Sequence, residues 1–319
     1  MRLLVTGGCG FIGSRLVRIL VSAGHEVVVL DDLSTGSALR LPAGVSLIPA
    51  SVSMPNLSIA SAGALDGIFH LAAISSVEAA EANPDDTHRV NVAGTRNILA
   101  LAGARHPRPL PVVFASSAAV YGNGQCHLIS EDHRKRPLGT YGATKLAAEQ
   151  EAKRAFDEIN VPSIGIRLFN VYGPWPPQGT PPPGVIASFC RQLAAGQQLV
   201  MHGSGKQCRD YLYLDDAAAL LICAMETLLR DPTHAIVNGS TGKATSLLEL
   251  AELLSALFPR PIEWQWEARR RADILNSVGD PAMAEMLLCC SPKVPLSEGL
   301  ARTLGGILPS DLPLRVPNH

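Results

Sequence analysis

Two separated fragments of the chain could together move a proton. Residues 116–121 read SSAAVY, and residues 141–145 read YGATK. If residues 140–159 form a helix, Tyr141 and Lys145 stand on one face of it, and the ammonium group comes close to the phenol. A free tyrosine has a pKa of about 10, so ionising it near pH 7 requires about 4 kcal/mol of phenolate stabilisation by nearby positive charge. Tyr141 is therefore a candidate general base.

The start of the chain has the pattern of a dinucleotide-binding turn. Residues 2–6 (RLLVT) predict a short buried strand, residues 7–13 read GGCGFIG, and a helical pattern follows to about residue 23. In this order Gly7 allows the tight turn, Gly10 lets the backbone approach a pyrophosphate, and Gly13 permits close packing of the helix. The N–H groups at the start of the helix then face the anion.

The second predicted strand ends on an acid. Residues 26–30 form an apolar strand, and Asp31 and Asp32 follow it. Asp31 is positioned to accept hydrogen bonds from the hydroxyls of an adenosine ribose. A 2′-phosphate would meet two negative charges here, so the pattern favours NAD over NADP.

Further motifs along nearly the whole chain carry a family resemblance. They are residues 70–73 (HLAA), 91–97 (NVAGTRN), 167–174 (RLFNVYGP) and 209–211 (RDY), the last followed by Asp215 and Asp216. With these motifs in order, the chain resembles the extended short-chain dehydrogenase/reductase family, and within it the NAD-dependent sugar-nucleotide epimerases and dehydratases typified by UDP-glucose 4-epimerase.

The resemblance implies roles for individual residues. Tyr141 is expected to be the catalytic base, Lys145 its helper and a ligand of the nicotinamide ribose, and Ser117 the hydroxyl that binds the sugar O4 and relays its proton. Asn91 is expected to buttress the site, and His70 to be structural. NAD is expected to contact Gly7, Gly10, Phe11, Ile12, Gly13, Asp31, Asp32, Ser34, Thr35, Gly36, Ser51, Val52, Leu71, Ala72, Ala73, Asn91, Ser116, Tyr141, Lys145 and Phe169. The sugar nucleotide is expected to contact Ser75, Ser117, Tyr141, Asn170, Val185, Ile186, Arg191, Val200, Met201, Arg209, Tyr211, Arg270 and Asp273.

One departure from the family pattern concerns the adenine. The acid that usually follows the third strand is replaced within residues 50–53 (ASVS). Either Ser51 takes over this contact or the contact is lost.

The two residues after Ser117 select among the reactions of the family. The resemblance implies an Asp-Glu pair here in dehydratases and a glutamate in this segment in decarboxylases, whereas this chain has Ala118 and Ala119. Alanine cannot transfer a proton, so we expect C4 epimerisation through a transient 4-keto sugar, with NAD carrying the hydride. A nucleotide-sugar 4-ketoreductase or a 4,6-dehydratase is the alternative enzyme, and a dinucleotide-sensing binding protein is the non-enzyme alternative.

The choice of hexose stays open between UDP-glucose, UDP-N-acetylglucosamine and UDP-glucuronate. Alignment of Asp273 and Asp280 with the family's carboxyl-terminal pattern puts Ser277 where some epimerases carry a bulky tyrosine that excludes N-acetyl groups. Arg191 is a candidate cation for the carboxylate of a uronate, although solvation or a phosphate contact explains a helical arginine equally well.

Composition limits the remaining classes of function. The chain has 319 residues, 47% of them hydrophobic, and a net charge of −1, which indicates a soluble globular protein with a large core. Near-neutral charge argues against nucleic acid, and the lack of an apolar run of about 18 residues argues against a membrane span. We expect a cytoplasmic protein without a metal site. By resemblance, the helices at residues 78–104 and 140–159 are expected to pair in a homodimer.

Alternation of strands and helices to about residue 168 predicts an α/β fold, a Rossmann doubly wound parallel sheet, with a later strand added around residues 235–238. We expect an NAD-binding Rossmann domain at residues 1–169 plus about 208–238. A smaller, discontinuous C-terminal lobe, at about residues 170–207 plus 239–319, is expected to bind the sugar nucleotide.

Overall fold

The computed structural model describes residues 1–104, 108–123, 128–175, 184–258, 260–268 and 274–307. Its strands are β1 (Arg2–Thr6), β2 (Glu26–Asp31), β3 (Ser46–Pro49), β4 (Gly67–His70), β5 (Val112–Ser117), β6 (Ser163–Leu168), β7 (Asn170–Tyr172), β8 (Leu199–His202), β9 (Cys208–Arg209), β10 (Tyr211–Tyr213), β11 (His234–Gly239), β12 (Thr245–Ser246), β13 (Trp264–Glu267) and β14 (Asn276–Ser277). Its α-helices are α1 (Phe11–Ser22), α2 (Val77–Ala82), α3 (Pro84–His88), α4 (Gly94–Gly103), α5 (Thr140–Ile159), α6 (Val185–Ala194), α7 (Leu214–Arg230), α8 (Leu247–Leu257), α9 (Ala282–Leu288) and α10 (Leu296–Gly305).

Seven strands form one parallel sheet in the order β11-β6-β5-β4-β1-β2-β3. From β1 the chain first adds β2 and β3 on one side and then crosses over to add β4, β5 and β6 on the other. The direction in which strands are added reverses between β1 and β4, and in a doubly wound sheet ligands bind at such a reversal, outside the carboxyl ends of the strands. The predicted doubly wound sheet and the late strand, β11, are both confirmed.

The central strands are apolar on both faces because helices cover the sheet on both sides. On one face, α1 and α7 pack into a core cluster with Leu3, Val5, Phe69 and Ile166. On the other face, α4 and α5 pack over Leu4, Ile68, Phe114 and their neighbours. The sheet is therefore held rigidly between two helical layers.

A second core lies outside the large sheet. It joins side chains from α6, α8 and α10 with the short strands β8 and β10, around Phe189, Leu250 and Leu300. Ser246 begins α8 with a reciprocal capping box with Glu249, which satisfies N–H groups that have no partner inside the helix. By contrast, α9 sends Ala284 and Leu288 into the core beside α7. Among the described residues, no helix is both long and apolar enough to cross a membrane.

Candidate active site

The turn after β1 is shaped for close approach of a ligand. Gly7 has a φ of +69°, and a side chain there would meet the backbone nitrogen of Ala72 at 2.6 Å. A Cβ at Gly13 would lie 2.1 Å from the carbonyl oxygen of Gly7, so the first turn of α1 can pack on the loop only without a side chain. The helix begins at Phe11, and its N-cap residue, Gly10, has no side chain that could accept a hydrogen bond from its first N–H groups. These features fit the pyrophosphate of a dinucleotide.

Asp31 ends β2 beside this turn and is 7% exposed. Its carboxylate accepts hydrogen bonds from the backbone N–H of Cys9 at 2.9 Å and of Leu33 at 2.8 Å. A carboxylate offers about four acceptor positions, so capacity remains for a ribose diol. Asp32 instead stabilises the following turn by accepting from the N–H and hydroxyl of Ser34. The backbone of Gly36 lies against Cys9, which closes the loop around residues 34–36.

The predicted adenine side and nicotinamide side flank this centre. The hydroxyl of Ser51 lies 3.0 Å from that of Ser53, which also receives a hydrogen bond from Arg89. Val52 is buried, and its carbonyl accepts from Asn97. On the other side of β1, residues 71–73 follow β4, where the N–H of Ala72 donates to the Thr6 hydroxyl at 3.3 Å.

Ser117 and Tyr141 meet at the end of β5. Ser117 is the last residue of β5, its hydroxyl accepts from the N–H of Ala119 at 3.2 Å, and its side chain lies beside the Tyr141 phenol. Tyr141 lies in the first turn of α5, so the predicted helix at 140–159 is confirmed at both ends. A side chain at Gly142 would collide with the carbonyl of Ala119 at 2.6 Å, which explains how the helix start comes so close to this turn.

Lys145 lies one turn along α5 and is only 6% exposed. Its Nζ donates to the carbonyl of Ala115 at 2.9 Å and lies 5.9 Å from the centre of the Tyr141 ring. Burial lowers the pKa of Lys145 to about 8, and only the charge of Glu149 opposes this. Burial raises the pKa of Tyr141, against the hydrogen bond from Ser117. The chain's own groups therefore leave the pKa of the Tyr141 phenol above its ordinary value. The positive ring of a bound nicotinamide is the remaining source of stabilisation for the phenolate.

Two residues of the sequence motifs support the site from behind. Asn91 sits in a π-helical turn, Arg89–Ala93, where its amide bonds both the N–H and the carbonyl of Ile74 and donates to Thr144 at 3.1 Å. The ring of His70 lies between the hydroxyls of Thr6 and Thr95, at 2.7 Å and 3.0 Å. The expected structural role of His70 is confirmed, and the geometry gives Asn91 the expected buttressing position.

Sequence reasoning missed a buried polar cluster next to Lys145. Glu149 accepts hydrogen bonds from Nε and Nη2 of Arg167, at 2.8 Å and 2.7 Å, and from the hydroxyl of Ser116 at 2.5 Å. Arg167 also donates to the hydroxyl of Tyr121 at 2.8 Å. The signal available in the sequence was the four-residue spacing from Lys145 to Glu149. Their partners on β5 and β6 could not be read from any local pattern.

The predicted substrate residues fall into three groups. Asn170 pairs with Tyr211, and its amide donates to the carbonyl of Asp210, the residue next to Arg209; Arg209 in turn pairs directly with Ser277, the position considered for hexose choice. The side chains of Ile186, Met201 and Tyr211 are instead buried in the second core. Phe169, the residue predicted to contact NAD, packs against Tyr121. The others are Ser75 and Arg191, which are exposed, Val185 and Val200, which are half-buried, and Arg270 and Asp273, which lie outside the described residues.

Asp210 fixes the backbone between Arg209 and Tyr211. It is fully buried and accepts from the N–H and hydroxyl of Thr241 and from the N–H of Gly242. Its carbonyl receives the amide of Asn170 at 2.9 Å. The carbonyl and the carboxylate of Asp210 thus join the start of β7 to the loop after β11.

Comparison with known proteins finds relatives over almost the whole length. The model of the NAD dependent epimerase/dehydratase family matches residues 3–238. A UDP-glucose 4-epimerase of Mycolicibacterium smegmatis is 33% identical over 311 residues, covering 95% of this chain and 97% of that protein. A UDP-glucuronic acid decarboxylase 1 of Xenopus tropicalis is 32% identical over 316 residues, covering 95% of this chain and 71% of that protein. The crystal structure of a UDP-glucose 4-epimerase of Thermotoga maritima with UDP-glucose is similar at a TM-score of 0.87 and 29% identity, covering 96% of this chain and 98% of that one.

Proposed function

The chain belongs to the NAD-dependent epimerase/dehydratase family, and from this premise we propose that it catalyses the C4 epimerisation of a UDP-hexose. It is an enzyme of the nucleotide-sugar epimerases, decarboxylases and dehydratases, and its cofactor is NAD. The pyrophosphate would lie on the turn formed by Gly7, Gly10 and Gly13, and the adenosine ribose on Asp31. When bound, NAD supplies a hydride acceptor at C4 of the sugar.

The chain's own residues supply the proton transfer. Tyr141 would take up the proton of the sugar O4 through the Ser117 hydroxyl, which accepts a hydrogen bond from O4 and passes its own proton to the phenolate. Lys145 would hold a positive charge beneath the phenol, because its Nζ is fixed by the Ala115 carbonyl. The resulting 4-keto sugar turns within the site, and Tyr141 returns its proton to O4 once the hydride re-enters at the opposite face of C4.

The observation that carries this proposal is the composition of the turn after Ser117. Ala118 and Ala119 start a short 3₁₀ helix directly after Ser117, whose side chain lies beside the Tyr141 phenol. Elimination across C5 and C6 requires an acid and a base at this location, and neither alanine can act as one. Chemistry limited to C4 needs only Tyr141, Ser117 and the cofactor.

Decarboxylation of a UDP-glucuronate is the second candidate, favoured by the named function of the Xenopus tropicalis relative. Oxidation at C4 places a ketone β to the C6 carboxylate, and such a β-keto acid can lose carbon dioxide. The first half of the reaction would use the same Tyr141 and Ser117. The two candidates share the oxidation at C4 and differ in the fate of the keto sugar. The alanines at positions 118 and 119, where the resemblance implies a glutamate in decarboxylases, favour epimerisation.

The proposal extends to the assembly of the protein and to the place of its substrate. A homodimer through the faces of α3 and α5 is supported by the shallow groove between these helices, which exposes Ala143 and Pro84. A UDP-sugar is expected between the large sheet and the second core, consistent with a division at residues 1–169 plus about 208–238 and about 170–207 plus 239–319. We propose a cytoplasmic location as part of the same account.

Incubation with single substrates tests the function. Purified protein with no added cofactor is given UDP-glucose, UDP-N-acetylglucosamine or UDP-glucuronate, and the products are identified by proton NMR. We expect the C4 epimer from at least one of them. UDP-pentose and carbon dioxide from UDP-glucuronate would favour decarboxylation, and no conversion of any substrate would contradict the proposal.

A further inference from the structure

The buried cluster behind Lys145 connects three elements at one carboxylate. Glu149 belongs to α5, Ser116 to β5 and Arg167 to β6, and Ser116 and Arg167 are direct neighbours in the parallel pairing of the two strands. The side chains of Glu149 and Arg167 are 6% and 4% exposed. Such a bidentate, charge-assisted contact has a narrow geometry. It therefore fixes both the rotation of α5 and its position along the strands.

The fixed helix face is the face that carries the proposed catalytic groups. Tyr141, Lys145 and Glu149 are spaced by four residues, so they follow one another on the same side of α5. Ser116, which donates to Glu149, directly precedes Ser117, whose side chain lies beside the Tyr141 phenol. Tyr141 and Glu149, the first and last of these three side chains, thus contact consecutive residues of β5.

The Glu149 carboxylate also shields Lys145 from the positive charge of the buried Arg167. Lys145 is faced by Tyr141 and Glu149 on its own helix, by the Ala115 carbonyl on β5, and by His70 on β4. Arg167 on β6 is held on Glu149 and stacks its guanidinium 4.9 Å from the centre of the Tyr121 ring. If the carboxylate were neutral, the charge of Arg167 would act on Lys145 without compensation.

We propose that Glu149 is a positioning residue that, through Arg167 and Ser116, holds Lys145 charged and Tyr141 against Ser117. This inference rests on the proposed role of Tyr141 as the base. A protein in which Glu149 is replaced should fold around the cofactor but lose stabilisation of the phenolate. The effect should appear in the acidity of Tyr141 before any substrate is added.

The primary experiment is a substrate-independent titration of Tyr141. Difference absorbance near 295 nm is recorded against pH for the NAD-loaded protein, and the signal of Tyr141 is isolated by subtracting the curve of Tyr141→Phe. In Glu149→Gln we expect the pKa of Tyr141 to rise by about 0.5 units or more, because a weakened positive charge stabilises the phenolate less. Glu151→Gln is the matched control, since Glu151 lies on the same helix and also binds an arginine, Arg96, at two atoms.

A paired variant covers the possibility that an unbalanced arginine prevents folding. Glu149→Gln/Arg167→Gln removes both charges, and we expect the pKa of Tyr141 to rise by less than in the single variant but by more than in Glu151→Gln. An unchanged pKa of Tyr141 in Glu149→Gln, or in the paired variant if the single one does not fold, would overturn the proposal.

Turnover supplies a second and separate readout. With any UDP-hexose that the wild-type protein converts, Glu149→Gln should lower kcat at least about tenfold and change KM less than about threefold, because substrate contacts are untouched. Equal loss in Glu151→Gln would contradict a positioning role. If the wild-type protein converts none of the substrates, the proposed function fails, while the titration still decides the role of Glu149.

Discussion

Single side chains set the charge around the Tyr141 phenol. The buried Lys145 ammonium is stabilised by a hydrogen bond to the Ala115 carbonyl and by the negative charge of Glu149. Burial, and to a lesser extent the charge of the nearby Lys145, lowers the pKa of His70 to about 3. The His70 ring is therefore neutral at physiological pH, and it is held by hydrogen bonds with Thr6 and Thr95. The positive charge beside the Tyr141 phenol therefore comes from Lys145 and not from His70.

Removal of one hydroxyl tests the base. Tyr141→Phe should lower kcat by about 100- to 10,000-fold, the usual contribution of a positioned acid or base, while NAD stays bound. Steady-state kinetics and the NAD content of the purified variant check this. Tyr172→Phe is the control, because Tyr172 lies in the second core, where its hydroxyl donates to the Leu296 carbonyl at the long distance of 3.4 Å. Activity within twofold of the wild type in Tyr141→Phe would show that a different residue, or no base, operates.

The buried neutral His70 should make the protein sensitive to acid. The folded state keeps a pKa of about 3 while the unfolded chain titrates near 6.5, so the unfolded state takes up a proton first as the pH falls. Stability contributed by this residue is complete above pH 6.5 and is lost by up to about 1.4 kcal/mol per pH unit between 6.5 and 3. Urea unfolding at several pH values should show a steeper loss in the wild type than in His70→Gln. Parallel curves would contradict the neutral buried ring.

At the scale of elements, tight contacts between backbones position the site. The glycine turn after β1 lies against α1 and residues 71–73, and the start of α5 lies against the turn after β5 at Gly142. These contacts were predictable where glycine occurs in a known order, as at Gly7, Gly10 and Gly13. The pairing of β9 with β12 and β14 was not, because each strand has only two residues and no periodicity can reveal it.

A methyl group at Gly13 should disable the cofactor turn. Its position, 2.1 Å from the Gly7 carbonyl oxygen, forces the loop and α1 apart. Overpacking of this kind costs about 2 to 3 kcal/mol, so Gly13→Ala should bind NAD roughly 100-fold more weakly. Calorimetric titration of cofactor-stripped protein measures this, with Ser22→Ala at the exposed end of α1 as the control. Equal affinity in both variants would contradict the assigned turn.

The short strand β14 should control which hexose fits. Ser277 pairs with Arg209 and is small, so a larger residue would reduce the space next to the proposed sugar nucleotide. Ser277→Tyr should raise KM for UDP-N-acetylglucosamine relative to UDP-glucose by about tenfold, the effect of 1 to 2 kcal/mol of overlap. Ser277→Ala should leave the ratio unchanged. The same ratio in the tyrosine variant would remove Ser277 from the site.

Over the whole molecule, the reversal of strand order between β1 and β4 brings distant segments together at the carboxyl ends of the strands. Alternating apolar strands and helices predicted this sheet because each element is local and regular, and the bounds of α5 matched. The ion pair of Glu149 with Arg167 and the packing of α9 beside α7 were not predictable, since each depends on contacts between segments far apart in sequence. Ile186 and Met201, which were predicted to contact the substrate, are buried in the structure, and a motif match gives no information on burial.

The most direct test of the central claim follows the hydrogen at C4. A UDP-hexose that the protein converts is prepared with deuterium at C4 and incubated with the protein in ordinary water without added cofactor. Because the hydride leaves and returns within one site, we predict that both C4 epimers keep the deuterium at C4 and that C5 exchanges no hydrogen with solvent. Loss of the label from C4, exchange at C5, or no epimer of UDP-glucose, UDP-N-acetylglucosamine or UDP-glucuronate would contradict C4 epimerisation.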